Sequence, residues 1–306
     1  MTLSREDFFA AHGRGHNHQA AQAARSGMPG FHILKAKRNL GATAIPNDIT
    51  GNCQFLQTSK GGPGIQNQKQ VGACEGFGHS SGITLRSAIM GKPIPLASAV
   101  GLYQCALMIQ RMPNADGSLP PLEDTGSEPS VIQQALQTYG IASKATWGGD
   151  PPTPESIIIQ PTLKQLEAAQ TYLLVGMYAI TSTGDQYLED LMTAWANGYP
   201  TTGAIAASSS TFNNYTGGIL SAMDSNVDHC TLWIGGKWDG KSPSSLVGIG
   251  CNSWGDGQEG DPAWGESDAP GIAAGMYRGD ASFLTKYSQS TYVLDVRPMT
   301  SGEVES

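Results

Sequence analysis

No apolar run in this 306-residue chain approaches the roughly 20 residues that a membrane-spanning helix needs, so no span is expected. Residues 1–10 lack a basic start followed by an apolar stretch, so no secretory signal is expected either. Cysteine is scarce and odd in number: Cys53, Cys74, Cys105, Cys230 and Cys251. Without a signal, that count argues against a disulfide framework. The lack of any Cys-x-x-Cys pair argues against a zinc site built on cysteine. Neither a metal site nor a cofactor is expected, and the expected setting is intracellular or virion-associated. Charged residues make up only 14% of the chain, which does not suit a coiled coil or a long disordered chain. No internal repeat is found. What fills the gap is small and polar, including 39 Gly and 18 Pro, the composition of a compact, loop-rich protein.

The formal charge of −8 is unevenly spread. Residues 1–45 carry six basic side chains (Arg5, Arg14, Arg25, Lys35, Lys37 and Arg38) against Glu6 and Asp7. The remainder carries twelve basic against twenty-four acidic. The acidic body makes a poor nucleic-acid partner. The basic segment suits docking on an acidic surface, its own or another's, and a solvated tail is the plain alternative. His12, His16 and His18 lie in it, where a polar tail is preferred to a metal site. Ser4 is placed to cap a helix through residues 6–24, and Gly27, Pro29 and Gly30 break the chain after it.

Residues 1–45 are therefore read as an extension, either a short pro-segment or a docking arm. Residues 46–148 are read as a helical lobe, with helices expected over 74–90, 95–112 and 129–139, the last capped by Ser127. Beyond the Pro-rich stretch 148–161 the pattern changes to strands. Strands are expected at 171–181, 201–207, 230–235, 246–250, 272–277 and 292–296, with one helix at 185–197. Helices first and strands second argue an α+β fold of two lobes, the second being 149–306.

Three segments carry chemistry. Cys74 opens a predicted helix, where free backbone amides and the helix dipole stabilise a thiolate. Gln68, six residues upstream, can join the Cys74 backbone amide as an oxyanion donor. The alternative is a buried structural cysteine. Val227-Asp228-His229 leads into a strand, which can hold an imidazole rigidly beside a cleft as general base and acid. A structural histidine is the alternative. In Asn252-Ser253-Trp254-Gly255 an amide oxygen can fix an imidazole's tautomer while the Trp254 indole shields that bond from water; an ordinary turn is the alternative.

Together these segments resemble the papain family of cysteine peptidases, over residues 44–296. Gln68 and Cys74 match the family's oxyanion glutamine and nucleophile at its six-residue spacing. Val227-Asp228-His229 matches the segment around its histidine, and Asn252-Ser253-Trp254-Gly255 its asparagine motif. Trp264-Gly265-Glu266 looks like the Trp-Gly-Glu that follows. The resemblance implies a helical left lobe, a β-barrel-like right lobe and a cleft between them. It further implies a Cys74–His229–Asn252 triad, supported by Trp254, Glu75 and Asp228, that cleaves peptide or protein substrates through an acyl-enzyme, without metal or cofactor.

The departures are local. Glu75 stands where the family has an aromatic residue, and a carboxylate there is expected to repel the thiolate. The family's cysteine three residues before the nucleophile is Val71 here. Cys230 and Cys251 adjoin catalytic positions on strands expected to pair; buried thiols are preferred there to a disulfide. Two other readings are weighed. Gly78-His79-Ser80-Ser81-Gly82 fits a serine-hydrolase nucleophile elbow, but the buried strand such an elbow needs is replaced by polar loop. The second is a papain-like fold kept as a weakly active or inactive binding module.

Overall fold

The computed structural model describes residues 28–41, 44–169, 172–222, 227–255, 264–265, 274–286 and 291–298. The expected helix at 6–24 and the histidines at 12, 16 and 18 lie outside them. In chain order the helices are α1 (Phe31–Arg38), α2 (Cys74–Ile89), α3 (Ala99–Gln110), α4 (Pro129–Thr138), α5 (Lys144–Trp147), α6 (Pro154–Ile157), α7 (Leu163–Ala169), α8 (Gly184–Ala196), α9 (Ser210–Asn213) and α10 (Ala281–Lys286). The strands are β1 (Tyr172–Ala179), β2 (Thr201–Ile205), β3 (His229–Lys237), β4 (Val247–Cys251), β5 (Met276–Asp280) and β6 (Thr291–Pro298). They form one antiparallel sheet in the order β1-β6-β2-β3-β4-β5.

Helix α2 is the axle of the molecule. Every residue from Cys74 to Ala88 is buried, although the helix is rich in Gly, Ser and Thr. Its hydroxyls satisfy themselves locally: Thr84 Oγ1 donates to the Ser80 carbonyl and Ser87 Oγ to that of Thr84. The glycines explain how it can be enclosed. A Cβ at Gly76 would stand 2.6 Å from the Ala99 carbonyl oxygen and 2.9 Å from Tyr103 Cβ, so Gly76 lets α3 approach. A Cβ at Gly82 would meet Leu232 and Leu294 at 3.2 and 3.3 Å, so that side seats the sheet. Gly76→Ala is thus expected to destabilise the protein by about 1–3 kcal/mol through overpacking, despite roughly 1 kcal/mol gained in helix propensity. Urea denaturation checks this; a stabilised variant would mean that α2 and α3 have room to spare.

Register does the positioning in the sheet. β3 and β4 pair Leu232 with Cys251, so Asn252 follows opposite Thr231. Side chains alternate faces along a strand, which places His229 and Asn252 on one face as diagonal neighbours. Cys230 and Cys251 fall on the other face, toward α2. Both are free, buried thiols, as are the remaining three.

The basic segment splits into two parts. Residues 28–41 belong to the body: Pro29 and Gly30 bridge to Ala179, and Phe31 and Leu34 are buried with Leu188 and Leu191 of α8. Lys35 pairs with Asp190 at 2.8 Å and Arg38 with the buried Asp295 at 2.9 Å. These two ion pairs hold residues 28–41 against the acidic body. Arg38 is 47% exposed, so solvent screens the pair. Arg38→Ala is expected to cost about 1–2 kcal/mol, mostly by stranding Asp295. A urea midpoint that does not move would show that the arm contributes nothing there.

Boundaries moved in several places. Helix α3 starts at Ala99 rather than 95, because residue 97 bridges to Ser143 and Ser98 Oγ caps the helix by accepting from Gly101 N at 2.9 Å. Ser127 does not cap α4: the cap position is Glu128, whose side chain makes no capping hydrogen bond, and Ser127 is buried one residue earlier. Strand β2 ends at Ile205, since the Ala207 and Ser208 amides turn away to Asp228. Within the stretch 148–161, residues 154–157 wind into α6, held by a Thr153–Ser156 capping box. β5 runs over Met276–Asp280, later than expected, because it pairs in full with β4.

Candidate active site

Cys74 is the first residue of α2, at the terminus where free amides gather. The preceding loop is held from two sides. Gly72 N donates to both Asp124 carboxylate oxygens, at 3.0 and 2.9 Å, and Asp124 accepts from Tyr103 OH at 2.6 Å. On the other side, residues 66–68 run antiparallel to 253–255. Gln68 N donates to the Ser253 carbonyl, Gly255 N to that of Gln66, and Asn67 bridges to Trp254. The glutamine loop and the asparagine segment are thus a single fixture.

Gln68 is fully buried. Its Oε1 accepts from Ser253 Oγ at 2.6 Å and its Nε2 donates to the Val71 carbonyl at 2.9 Å. That contact engages one of the two amide hydrogens and fixes the plane of the group.

His229 and Asn252 meet directly, Nε2 to Oδ1 at 2.7 Å. Asn252 Oδ1 also accepts from the Ser253 backbone amide at 2.8 Å. A backbone N–H only donates, so the oxygen end of the amide must face it. The ring nitrogen facing that oxygen is therefore a donor, Nε2–H. In the neutral ring Nδ1 then carries the lone pair, the tautomer a base needs in order to take a thiol proton. The Trp254 ring lies 5.1 Å from the imidazole, tilted by 35°, and is fully buried. Trp264 packs edge-on against Trp254 at 5.4 Å and donates Nε1–H to the Phe212 carbonyl. Glu266 lies outside the described residues.

Asp228 joins two segments beside the ring. Its carboxylate accepts from the amides of Ala207 and Ser208, tying the loop after β2 to the start of β3. Ser80 sits mid-helix, buried, with Oγ on the Phe77 carbonyl at 3.3 Å. No strand-turn-helix elbow exists at that position, which removes the serine-hydrolase reading. Cys74, His229, Asn252 and Gln68 are all at most 2% exposed.

Solved structures that share 14–20% identity with this chain have the same overall fold. Procathepsin L 3 from the larval midgut of Tenebrio molitor aligns with a TM-score of 0.62 at 20% identity, covering 95% of this chain and 79% of its own. Procathepsin B S9 from Trypanosoma congolense gives 0.59 at 16%, covering 95% and 89%. Xylellain, a cysteine protease from Xylella fastidiosa, gives 0.56 at 17%, covering 82% and 87%.

The chain has the papain-like fold.

No protein-family model and no curated protein sequence matches it. In the papain-like frame α2 is the central helix of the helical lobe, and β3 and β4 belong to the strand-rich lobe. No helix among the described residues is long and apolar enough to cross a membrane.

Two features were not read from the sequence. One is the Asp124–Gly72–Tyr103 clamp, whose partners stand 52 and 21 residues from Asp124 with no local pattern to join them. The other surrounds Glu75, whose side chain is fully buried and directed at His79 rather than at solvent. Their i, i+4 spacing on a predicted helix was the available signal.

Proposed function

We propose that this protein is a cysteine-type endopeptidase that hydrolyses peptide bonds through Cys74, His229 and Asn252. The observation that carries the reading is the 2.7 Å contact between His229 Nε2 and Asn252 Oδ1, with the amide oriented by Ser253 N, in a papain-like frame that starts its central helix at a cysteine. In this mechanism His229 Nδ1 takes the Cys74 proton and the thiolate attacks the peptide carbonyl. The Cys74 amide and the Gln68 side chain receive the oxyanion. The imidazolium returns its proton to the leaving amine, and water, deprotonated by the same nitrogen, releases the acyl group.

A second reading, a papain-like binding module with little activity, is favoured by one observation: the Cys74 side chain is enclosed in this structure. A peptide-linked, thiol-reactive inhibitor separates the two. Burial pushes the thiols of Cys53, Cys105 and Cys251 up to about 12, and it raises Cys230 well above the ordinary value, with Glu75 adding to the effect. At pH 7 a thiol at 12 is about one part in 10⁵ thiolate. The expected result is one adduct per chain, on Cys74, with labelling at least ~100-fold slower in His229→Ala. No adduct under reducing conditions would establish the binding-module reading.

A further inference from the structure

Behind the nucleophile lies a second set of ligand-type side chains. Glu75 and His79 project from the same face of α2, Oε2 to Nδ1 at 3.3 Å, and Cys230 reaches them from β3. One donor atom from each lies within 4.8 Å of the others, and all three side chains are buried. Tetrahedral ligands on bonds of about 2.0–2.1 Å stand about 3.3 Å apart, the spacing already present between Glu75 and His79. A Cβ at residue 78 would stand 3.0 Å from Cys230 Sγ, so Gly78 makes room for the sulfur.

We propose that Glu75, His79 and Cys230 form an internal zinc site, separate from the Cys74–His229 pair. Thiolate, imidazole and carboxylate together are the ligand chemistry of a borderline divalent ion rather than of magnesium or calcium. Charge balances in the loaded site, where the Cys230 thiolate formed on binding and the Glu75 carboxylate together offset one divalent cation. On binding, the Cys230 thiol gives up its proton to solvent. In the structure His79 Nδ1–H donates to the Glu75 carbonyl oxygen at 2.8 Å, so binding breaks that hydrogen bond, turns Nδ1 off the carbonyl and moves the ring proton to Nε2. There Thr202 Oγ1, at 3.2 Å, accepts it and orients the ring. The proposal departs from the expectation, drawn from the sequence, of a chain without a metal site. It also gives the departure at residue 75 a purpose, as a ligand whose charge is neutralised where an aromatic side chain would have filled the space. The site does not depend on the peptidase reading.

The test uses the full chain carrying Cys74→Ala and His229→Ala, which removes the other thiol–imidazole pair. Produced with zinc, then with cobalt(II) in its place, this variant is expected to hold about one metal per chain after gel filtration. The cobalt form should show a near-ultraviolet thiolate charge-transfer band and the visible bands of a tetrahedral ion. Adding Cys230→Ser should abolish the charge-transfer band, His79→Gln should weaken binding at least ~10-fold, and Cys251→Ser should change neither. Should the Cys230 variant fail to fold, the other spectra decide. Metal below about a tenth of an equivalent, absence of the thiolate band, or loss of that band with Cys251→Ser but not with His79→Gln would each overturn the proposal. Failure here leaves inhibitor labelling at Cys74 unaffected, so the two ideas fall separately.

Discussion

Cys74→Ala is expected to lower peptide hydrolysis by at least ~10⁴-fold while leaving the fold intact, because in the proposed mechanism the Cys74 thiol forms the acyl intermediate. The digestion of a mixed peptide library, compared with that by wild type, is the direct measurement. Members of such a unit act together, so His229→Ala should cost nearly as much, and the double variant little more than either alone. Asn252→Ala removes an orienting group and leaves the base in place. Its cost should be smaller, on the order of 10²–10³-fold and mainly in kcat. Ser80→Ala should leave hydrolysis unchanged, since Ser80 Oγ is spent on the Phe77 carbonyl. A Cys74→Ala variant that keeps a tenth of the activity would sink the mechanism.

Trp264→Ala is expected to be the most damaging change to stability, by about 3–5 kcal/mol. The indole is fully buried among Trp254, Phe212, Tyr215 and Tyr277, with ring centroids between 4.7 and 5.8 Å. Removing it leaves a cavity and also strands the Phe212 carbonyl that accepts its N–H. Trp264→Phe should restore more than half of the loss, because it refills most of the volume without the hydrogen bond. The effect should also reach the site: with Trp264 truncated, Trp254 loses its edge-on support and the His229–Asn252 bond loses part of its cover. Chemical denaturation gives the first readout and the rate of Cys74 labelling the second. A loss under about 1 kcal/mol would show that the aromatic cluster repacks without Trp264.

The parts legible in the sequence share one physical property: they are local or periodic. Helix α2 announced itself through Cys74 and its apolar spacing, and β2 to β4 through short apolar runs between turn residues. The two-lobed α+β architecture followed from their order. The candidate site residues were legible because each sits in a short segment with its own chemistry: Gln68 six residues before Cys74, His229 at a strand start, Asn252 beside Ser253 and Trp254. Caps were less legible. Ser127 has the right side chain for one, but its burial one residue early removed it from the position.

What the sequence by itself determined was therefore the kind of fold, together with a candidate thiol, imidazole and amide. Tertiary structure alone decided which of these meet and how. The Leu232–Cys251 register is a long-range pairing, and a slip of one residue would have sent His229 and Asn252 to opposite faces. The Ser253 amide, by choosing the end of Asn252 that faces the ring, set the tautomer of His229. The docking of residues 28–41 was settled by which carboxylates, Asp190 and Asp295, lay within reach. Glu75 shows the same division most clearly. In the sequence it is a lone carboxylate beside the candidate nucleophile; in the fold, packing of α2 against β3 turns it inward to His79 and Cys230. Contacts across more than 150 residues leave no periodic trace, so only the folded chain can disclose them.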